Sequence, residues 1–162
     1  MVYMVITAAL IFGLVASQAA EAKKVIGWVE KVAILPEKVV LTAKIDTGAD
    51  NSCLDVREYS FFDRDEERWV RFEIAEDGDK GEAVERKVER MAEIKRHKGK
   101  AQSRPVVKMV LCLGGVKREA EVNLTDRHRF KYRMLIGRSF LDGEFSVDPS
   151  MKLTVEPVCR GD

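Results

Sequence analysis

Asp46-Thr47-Gly48 closes a β-rich run and opens a short polar one, Ala49-Asp50-Asn51-Ser52. A carboxylate at such a turn can exchange a proton with water or substrate. Gly48 lets the backbone approach that carboxylate without a Cβ clash and offers it an N–H. The Thr47 hydroxyl is placed to lock the turn. The tripeptide alone also fits a purely structural turn, because Asx and Gly populate turns for backbone reasons. A second run lies near the C-terminus: Met134-Leu135-Ile136 is apolar, Gly137-Arg138 follows, and Ser139-Phe140-Leu141 reads as a short amphipathic helical turn.

Other residues with chemical potential are scattered. Lys95-Arg96-His97-Lys98-Gly99-Lys100, with Arg104 beyond, concentrates positive charge. Such a run is either a solvated loop or a wall that selects acidic peptides. His97 and His128 have no companion ligands at metal spacing, and neither His-Glu-x-x-His nor a phosphate-binding Gly-x-x-x-x-Gly-Lys-Ser/Thr occurs, so no metal or cofactor is expected. Cys53, Cys112 and Cys159 are too far apart in sequence for a CxxC motif. Two of them can pair in an oxidising compartment, or all three can serve as small buried hydrophobes; the spacing does not choose.

The elements that must hold these groups are mostly strands. Lys24 to Leu35 and Lys38 to Ile45 are rich in β-branched residues and flank Pro36. Trp69 to Ile74 alternates, with Val70, Phe72 and Ile74 on one face. Pro105 to Leu113 leads through Gly114-Gly115 into the alternating Val116 to Leu124, a hairpin signal. Glu82 to Arg96 dissents: strong helix formers place Val84, Val88 and Met91 at i, i+4 and i+7, the pattern of an amphipathic helix.

The two chemical runs together resemble the retropepsin family of aspartic peptidases, which pairs a hydrophobic-Asp-Thr-Gly-Ala loop with a downstream apolar-apolar-Gly-Arg segment. Gly27-Trp28, the Asp-Thr-Gly-Ala run, Arg104-Pro105-Val106-Val107, Leu124-Thr125-Asp126-Arg127, Leu135-Ile136-Gly137-Arg138 and Val147-Asp148-Pro149-Ser150 are similar, in order, to the bacterial retropepsin-like family often labelled "ATP-dependent zinc protease". Some of its members accompany the RimK-type enzyme that adds glutamates to a ribosomal protein. The chain departs from that family at Asp50, where relatives often carry a basic residue.

The resemblance implies a mainly β, closed barrel with one short C-terminal helix. It places Trp69 to Arg104 in a flap region, so Glu82 to Arg96 is expected to be strand against its local pattern. Asp46, Thr47 and Gly48 become the catalytic loop, with Ala49, Asp50, Gly137 and Arg138 as its support. Arg138 is expected to need Asp50 as a bidentate partner if it is buried. A chain with one Asp-Thr-Gly implies a homodimer in which two Asp46 carboxylates share a proton; Asp126 and Asp148 lack the Thr-Gly sequel. Lys95, Arg96, Lys98 and Lys100 are the candidate substrate contacts, and Trp28 a core or interface aromatic. The expected function is an aspartic endopeptidase acting on peptides, acidic ones among them; the alternatives are a silent peptide-binding module and, more weakly, a metal-dependent hydrolase.

The remaining features bound these expectations. The chain has 162 residues, with 28 Lys+Arg against 27 Asp+Glu, so its net charge of +1 argues against a nucleic-acid partner. Residues 1–22 form an apolar leader ending in Ala20-Glu21-Ala22, which a signal peptidase would read, placing Lys23 at the mature N-terminus. The apolar run is short for a bilayer crossing, though an uncleaved anchor remains the alternative. Residues 23–162 are expected to form one domain, periplasmic or secreted.

Overall fold

The computed structural model describes residues 22–74, 81–94 and 101–159. The leader and the candidate contacts Lys95, Arg96, Lys98 and Lys100 lie outside the described residues. Among the described residues, eleven strands and one short helix follow in chain order. Six strands close a barrel: β2 (Val29–Leu35), β3 (Val39–Ile45), β10 (Met134–Ile136), β4 (Ser52–Asp55), β9 (Val116–Thr125) and β8 (Gln102–Leu113), with β8 pairing back to β2. The sheet continues outward from β8 through β7 (Glu82–Ile94), β6 (Glu67–Ile74) and β5 (Tyr59–Arg64). A separate parallel ribbon joins β1 (Lys24–Gly27) to β11 (Phe145–Asp148), and α1 (Arg138–Leu141) links β10 to it.

The barrel follows from residue alternation. In β3 every second residue, Val39, Leu41, Ala43 and Ile45, is buried, and Val40, Thr42 and Lys44 are exposed. The interior is one apolar cluster that draws on Leu54, Met109, Leu111, Leu124, Met134, Ile136 and Phe140. The Gly114-Gly115 turn joins β8 to β9 as expected, with both glycines at positive φ (56° and 89°), where a side chain would be strained.

The segment with the helical pattern is strand β7. Its first half pairs with β6 and its second with β8, and the register shifts between Val88 and Arg90. That bulge inserts one residue into a period-2 pattern. Val88 opposes Val107 and Met91 opposes Pro105, so residues three apart share a face. The spacing that mimics a helix is thus a strand with one extra residue, and pairing on both edges overrides the helix propensity.

The C-terminal tail is strapped across the barrel. Glu30, fully buried, accepts hydrogen bonds from Gly27 N–H (2.7 Å), Thr154 N–H (2.8 Å), the Thr154 hydroxyl (2.6 Å) and Val155 N–H (3.2 Å). So many donors meet the condition for burying a charge. A Cys112–Cys159 disulfide then fixes the tail to β8, and Cys53 is left as a buried free thiol. Closing the 47-residue separation should contribute about 2–4 kcal/mol. Reductant, or Cys159→Ser, is therefore expected to lower the unfolding free energy measured in urea by that amount without abolishing the fold; an unchanged value would mean that the disulfide does not brace the tail.

Candidate active site

Asp46 stands where β3 leaves the barrel. Its N–H donates to Ile136 C=O (2.8 Å), which carries the β3–β10 ladder one residue past the strand. Side chains alternate across a strand, so Asp46 projects on the side of Lys44, away from the buried Ile45. The carboxylate is half-buried and accepts the Gly48 N–H (3.2 Å), the contact expected of that glycine. The turn closes through Ala49 N–H to Asp46 C=O (3.2 Å). The Thr47 hydroxyl, expected to lock it, makes no hydrogen bond among the described residues; the Thr47 carbonyl instead accepts from Arg138 Nη1 (3.1 Å).

The C-terminal run clamps this loop as expected. Arg138 N–H donates to Ala49 C=O (2.9 Å), Ser139 N–H to Asp50 C=O (3.0 Å), and Gly137 N–H to the hydroxyl of the fully buried Ser52 (3.2 Å). A Cβ at Gly137 would stand 2.5 Å from the Asn51 carbonyl carbon and 2.6 Å from the Asp50 oxygen, so only glycine allows the two backbones to meet.

Arg138 and Asp50 do come together, but not as a buried pair. Arg138 Nη2 lies 3.5 Å from Asp50 Oδ1, with the two side chains 53% and 79% exposed. Both ends of the pair are exposed, so the buried bidentate arrangement considered for Arg138 is not what forms: an exposed pair contributes at most about 1 kcal/mol. Both residues instead line an open groove of about 490 Å³ beside the loop, together with Lys23, Thr47 and Phe145.

Several residues that the sequence did not single out surround the loop. Glu121 on β9 accepts from Arg90 Nη2 (2.6 Å) and from Asn51 Nδ2 (3.3 Å), tying β7 to the loop's far end. The bond from Arg90 to Glu121 holds the guanidinium pKa above its ordinary value, and the Asp50 charge adds to this. Leu135 on β10 opposes Cys53 on β4, Cys53 lies beside Asn123 on β9, and Asn123 opposes Val106 on β8. All four point away from the core, on the face Asp46 shares. Burial pushes the Cys53 thiol pKa up, while Arg127 and Arg104 pull it back. The alternating cations Arg127, Arg129, Lys131 and Arg133 were a sequence signal for this corner.

The carboxylates set aside for lack of a Thr-Gly sequel serve local turns. Asp126 accepts from His128 N–H (3.0 Å) and Asp148 from the Ser150 hydroxyl (2.7 Å) and N–H (2.8 Å). These bonds hold both pKa values below the ordinary carboxylate range, which disfavours storing a shared proton. His128 is engaged with Asp126, and His97 lies outside the described residues. Among the described residues no three of His, Cys, Asp and Glu converge as metal ligands. Trp28 is half-buried and meets Tyr132 edge to face at 6.0 Å.

The RimB-like family, described as the retropepsin-like aspartic endopeptidase RimB, matches residues 25–157. The chain belongs to this family. Curated relatives include a protein of Shewanella pealeana, 34% identical over 125 residues, and one of Parasynechococcus marenigrum, 33% identical over 112; both are named "Probable alpha-L-glutamate ligase". The matches cover 75% and 67% of this chain but only 26% and 24% of those proteins, so the chain spans about a quarter of their length. A crystal structure of a Legionella pneumophila protein of unknown function superposes with a TM-score of 0.73 at 29% identity, covering 83% of this chain and all of that one.

Two measurements probe the clamp. Gly137→Ala is expected to destabilise the protein by about 2 kcal/mol or more, because loop and strand must separate; wild-type stability in that variant would show that the close approach is not enforced. A double-mutant cycle over Asp50 and Arg138 in the monomer is expected to give a coupling below about 1 kcal/mol, and a coupling of several kcal/mol would mean that the pair is buried in solution.

Proposed function

We propose that the protein is an exported aspartic endopeptidase that hydrolyses peptide bonds with a water held between the Asp46 carboxylates of two protomers. The observation that carries this reading is the Asp46 carboxylate itself: clamped by main-chain bonds, half-buried, on the outer face of the barrel sheet, with the Gly48 N–H as its recorded donor. Two such carboxylates brought close cannot both ionise, so a single proton is shared between them. The protonated one donates to the scissile carbonyl and the ionised one takes a proton from water. Water oxygen adds to the carbonyl carbon, the C–N bond then breaks, and the dyad returns a proton to the leaving amine. One protomer supplies half of this site, so a two-fold homodimer is part of the reading. Acidic peptides are the favoured substrate class, given the basic run Lys95, Arg96, Lys98 and Lys100 in the connection between β7 and β8.

Export is supported by the apolar leader and by the Cys112–Cys159 disulfide, which persists in oxidising compartments. A second reading, a peptide-binding module without turnover, is favoured by one finding: the chain matches a quarter of proteins whose name assigns them ligation, not hydrolysis.

Asp46→Asn nearly preserves shape and cannot act as base, so peptide turnover is expected to be lost with the fold intact. Retained turnover in that variant would remove Asp46 from the chemistry, and no turnover in the parent protein on any acidic or neutral peptide library would favour the binding module. EDTA is expected to leave the rate unchanged; a loss that zinc restores would require a metal. Mass spectrometry of the native protein is expected to find a chain beginning near Lys23 outside the cytoplasm, and an intact leader on soluble cytosolic protein would contradict export.

A further inference from the structure

Residues 126–133 join β9 to β10 in a loop whose tip takes no part in the proposed chemistry. The chain turns back on itself there, with Phe130 N–H donating to Arg127 C=O (2.7 Å). The loop stands at one end of β9. At the other end is the Gly114-Gly115 turn, where the Lys24 ammonium donates to Gly114 C=O and the leader joins the domain. The loop also stands at the end of β4 away from the Asp46 loop, because Asp55 N–H donates to Arg133 C=O and Val56 N–H to Thr125 C=O. Phe130 is 61% exposed, more than any other aromatic among the described residues, and its neighbours Arg129 and Lys131 are exposed as well.

The charge of this tip is one-sided. Between residues 126 and 132, Arg127, Arg129 and Lys131 stand against a single carboxylate, Asp126. Asp126 accepts from the His128 N–H (3.0 Å) and lies 2.5 Å from its ring Nδ1, while Arg129 Nε donates to the ring Nε2 (3.3 Å). An Nε2 that accepts belongs to a neutral imidazole, so the ring adds no charge. Neither Arg129 nor Lys131 forms an ion pair with a carboxylate among the described residues. Arg57 and Glu58, which follow Val56 beside the loop, offset each other. The aromatic rings are already engaged: the Arg127 guanidinium lies 4.5 Å from the centre of Phe130, the Lys131 ammonium 5.5 Å from that of Tyr132, and Trp28 meets Tyr132 edge to face. Cations of one sign around a projecting ring suit the boundary layer of a bilayer, where the ring enters among the headgroups and the cations meet phosphates. Bases of a nucleic acid need open ring faces to stack on, and these rings have a cation or another ring against them. An acidic polypeptide would use the cations and leave Phe130 in water.

We propose that the loop of residues 126–133 is a docking surface for an anionic bilayer, with Phe130 entering the headgroup layer and Arg129 and Lys131 contacting lipid phosphates on either side of it. The contact is reversible, because one ring and a few cations fall short of the two signals that stable anchoring takes. It is separate from the peptidase reading: no step at Asp46 passes through this loop, and the Asp46 loop, one length of β4 away, stays uncovered.

The test mixes the full chain with vesicles of phosphatidylcholine alone, or of phosphatidylcholine and phosphatidylglycerol in equal amounts, and reads the bound fraction by flotation. The anionic vesicles are expected to bind about tenfold or more tightly than the neutral ones, and less so as salt rises. Arg129→Gln combined with Lys131→Gln should remove most of that ratio, and Phe130→Ser should weaken binding about fivefold. All three side chains are exposed, so the variants keep the fold. Position is read separately, with an environment-sensitive dye. Attached at Phe130→Cys it should shift to the blue on anionic vesicles; attached at Val158→Cys, a 74% exposed position beside Gly115, it should not. Equal binding to both vesicles overturns the proposal. So does binding unchanged in the Arg129 and Lys131 double variant, or a dye shift at Val158 as large as at Phe130, either of which would assign membrane contact to the leader's end of the domain. Binding to soluble polyglutamate but not to vesicles overturns it as well, and makes the loop a surface for acidic polypeptides.

Discussion

The structure turns on the contact between Gly137 and the backbone of Asp50 and Asn51. Strand β10 is only three residues long, yet it is wedged between β3, which delivers Asp46, and β4, which carries the chain away from the loop. Where β10 ends, the absence of a side chain at Gly137 lets two backbones touch, and Arg138 and Ser139 then place their N–H groups on the loop carbonyls. The position of Asp46 is thus set by main-chain groups drawn from opposite ends of the sequence. Such a constraint holds Asp46 in place through its backbone, with the Gly48 N–H the one donor to its carboxylate among the described residues.

Much of this was legible in the sequence because the deciding residues carry backbone meaning. Gly48 donates its N–H to the Asp46 carboxylate as its position suggested, and Gly137, legible as part of the Gly-Arg run, sits where a Cβ would strike the Asp50 and Asn51 backbone. The alternation in β3 and the Gly114-Gly115 turn follow from period-2 burial. Glu82 to Ile94 was misleading for a definable reason: a bulge adds one residue and converts strand spacing into apparent helical spacing, and only the resemblance to a flap region argued the other way. The Arg138–Asp50 contact was legible as proximity but not as environment, since exposure depends on what covers the groove. The Glu121–Arg90–Asn51 bridge and the Cys53–Asn123 row depend on register between strands far apart in sequence, which no local pattern encodes. The choice of Cys112 and Cys159 as the disulfide pair is likewise a product of the tail's path, fixed by the buried Glu30.

The distribution of polarity divides labour between the two faces of the sheet. One face supplies the apolar barrel interior; the other carries Asp46. The relatives in which this segment matches a quarter of a longer protein are named for joining glutamate. A family named for hydrolysis and relatives named for ligation leave the role of the Asp46 carboxylate to be read directly.

That role is most directly tested by mixing parent protein with Asp46→Asn protein at varied ratios and constant total concentration, under conditions of subunit exchange. If each site needs one Asp46 from each protomer, and the amide disables a mixed dimer, peptidase activity falls as the square of the parent fraction. A linear fall would show that a single chain carries a complete site, and would contradict the shared-carboxylate account.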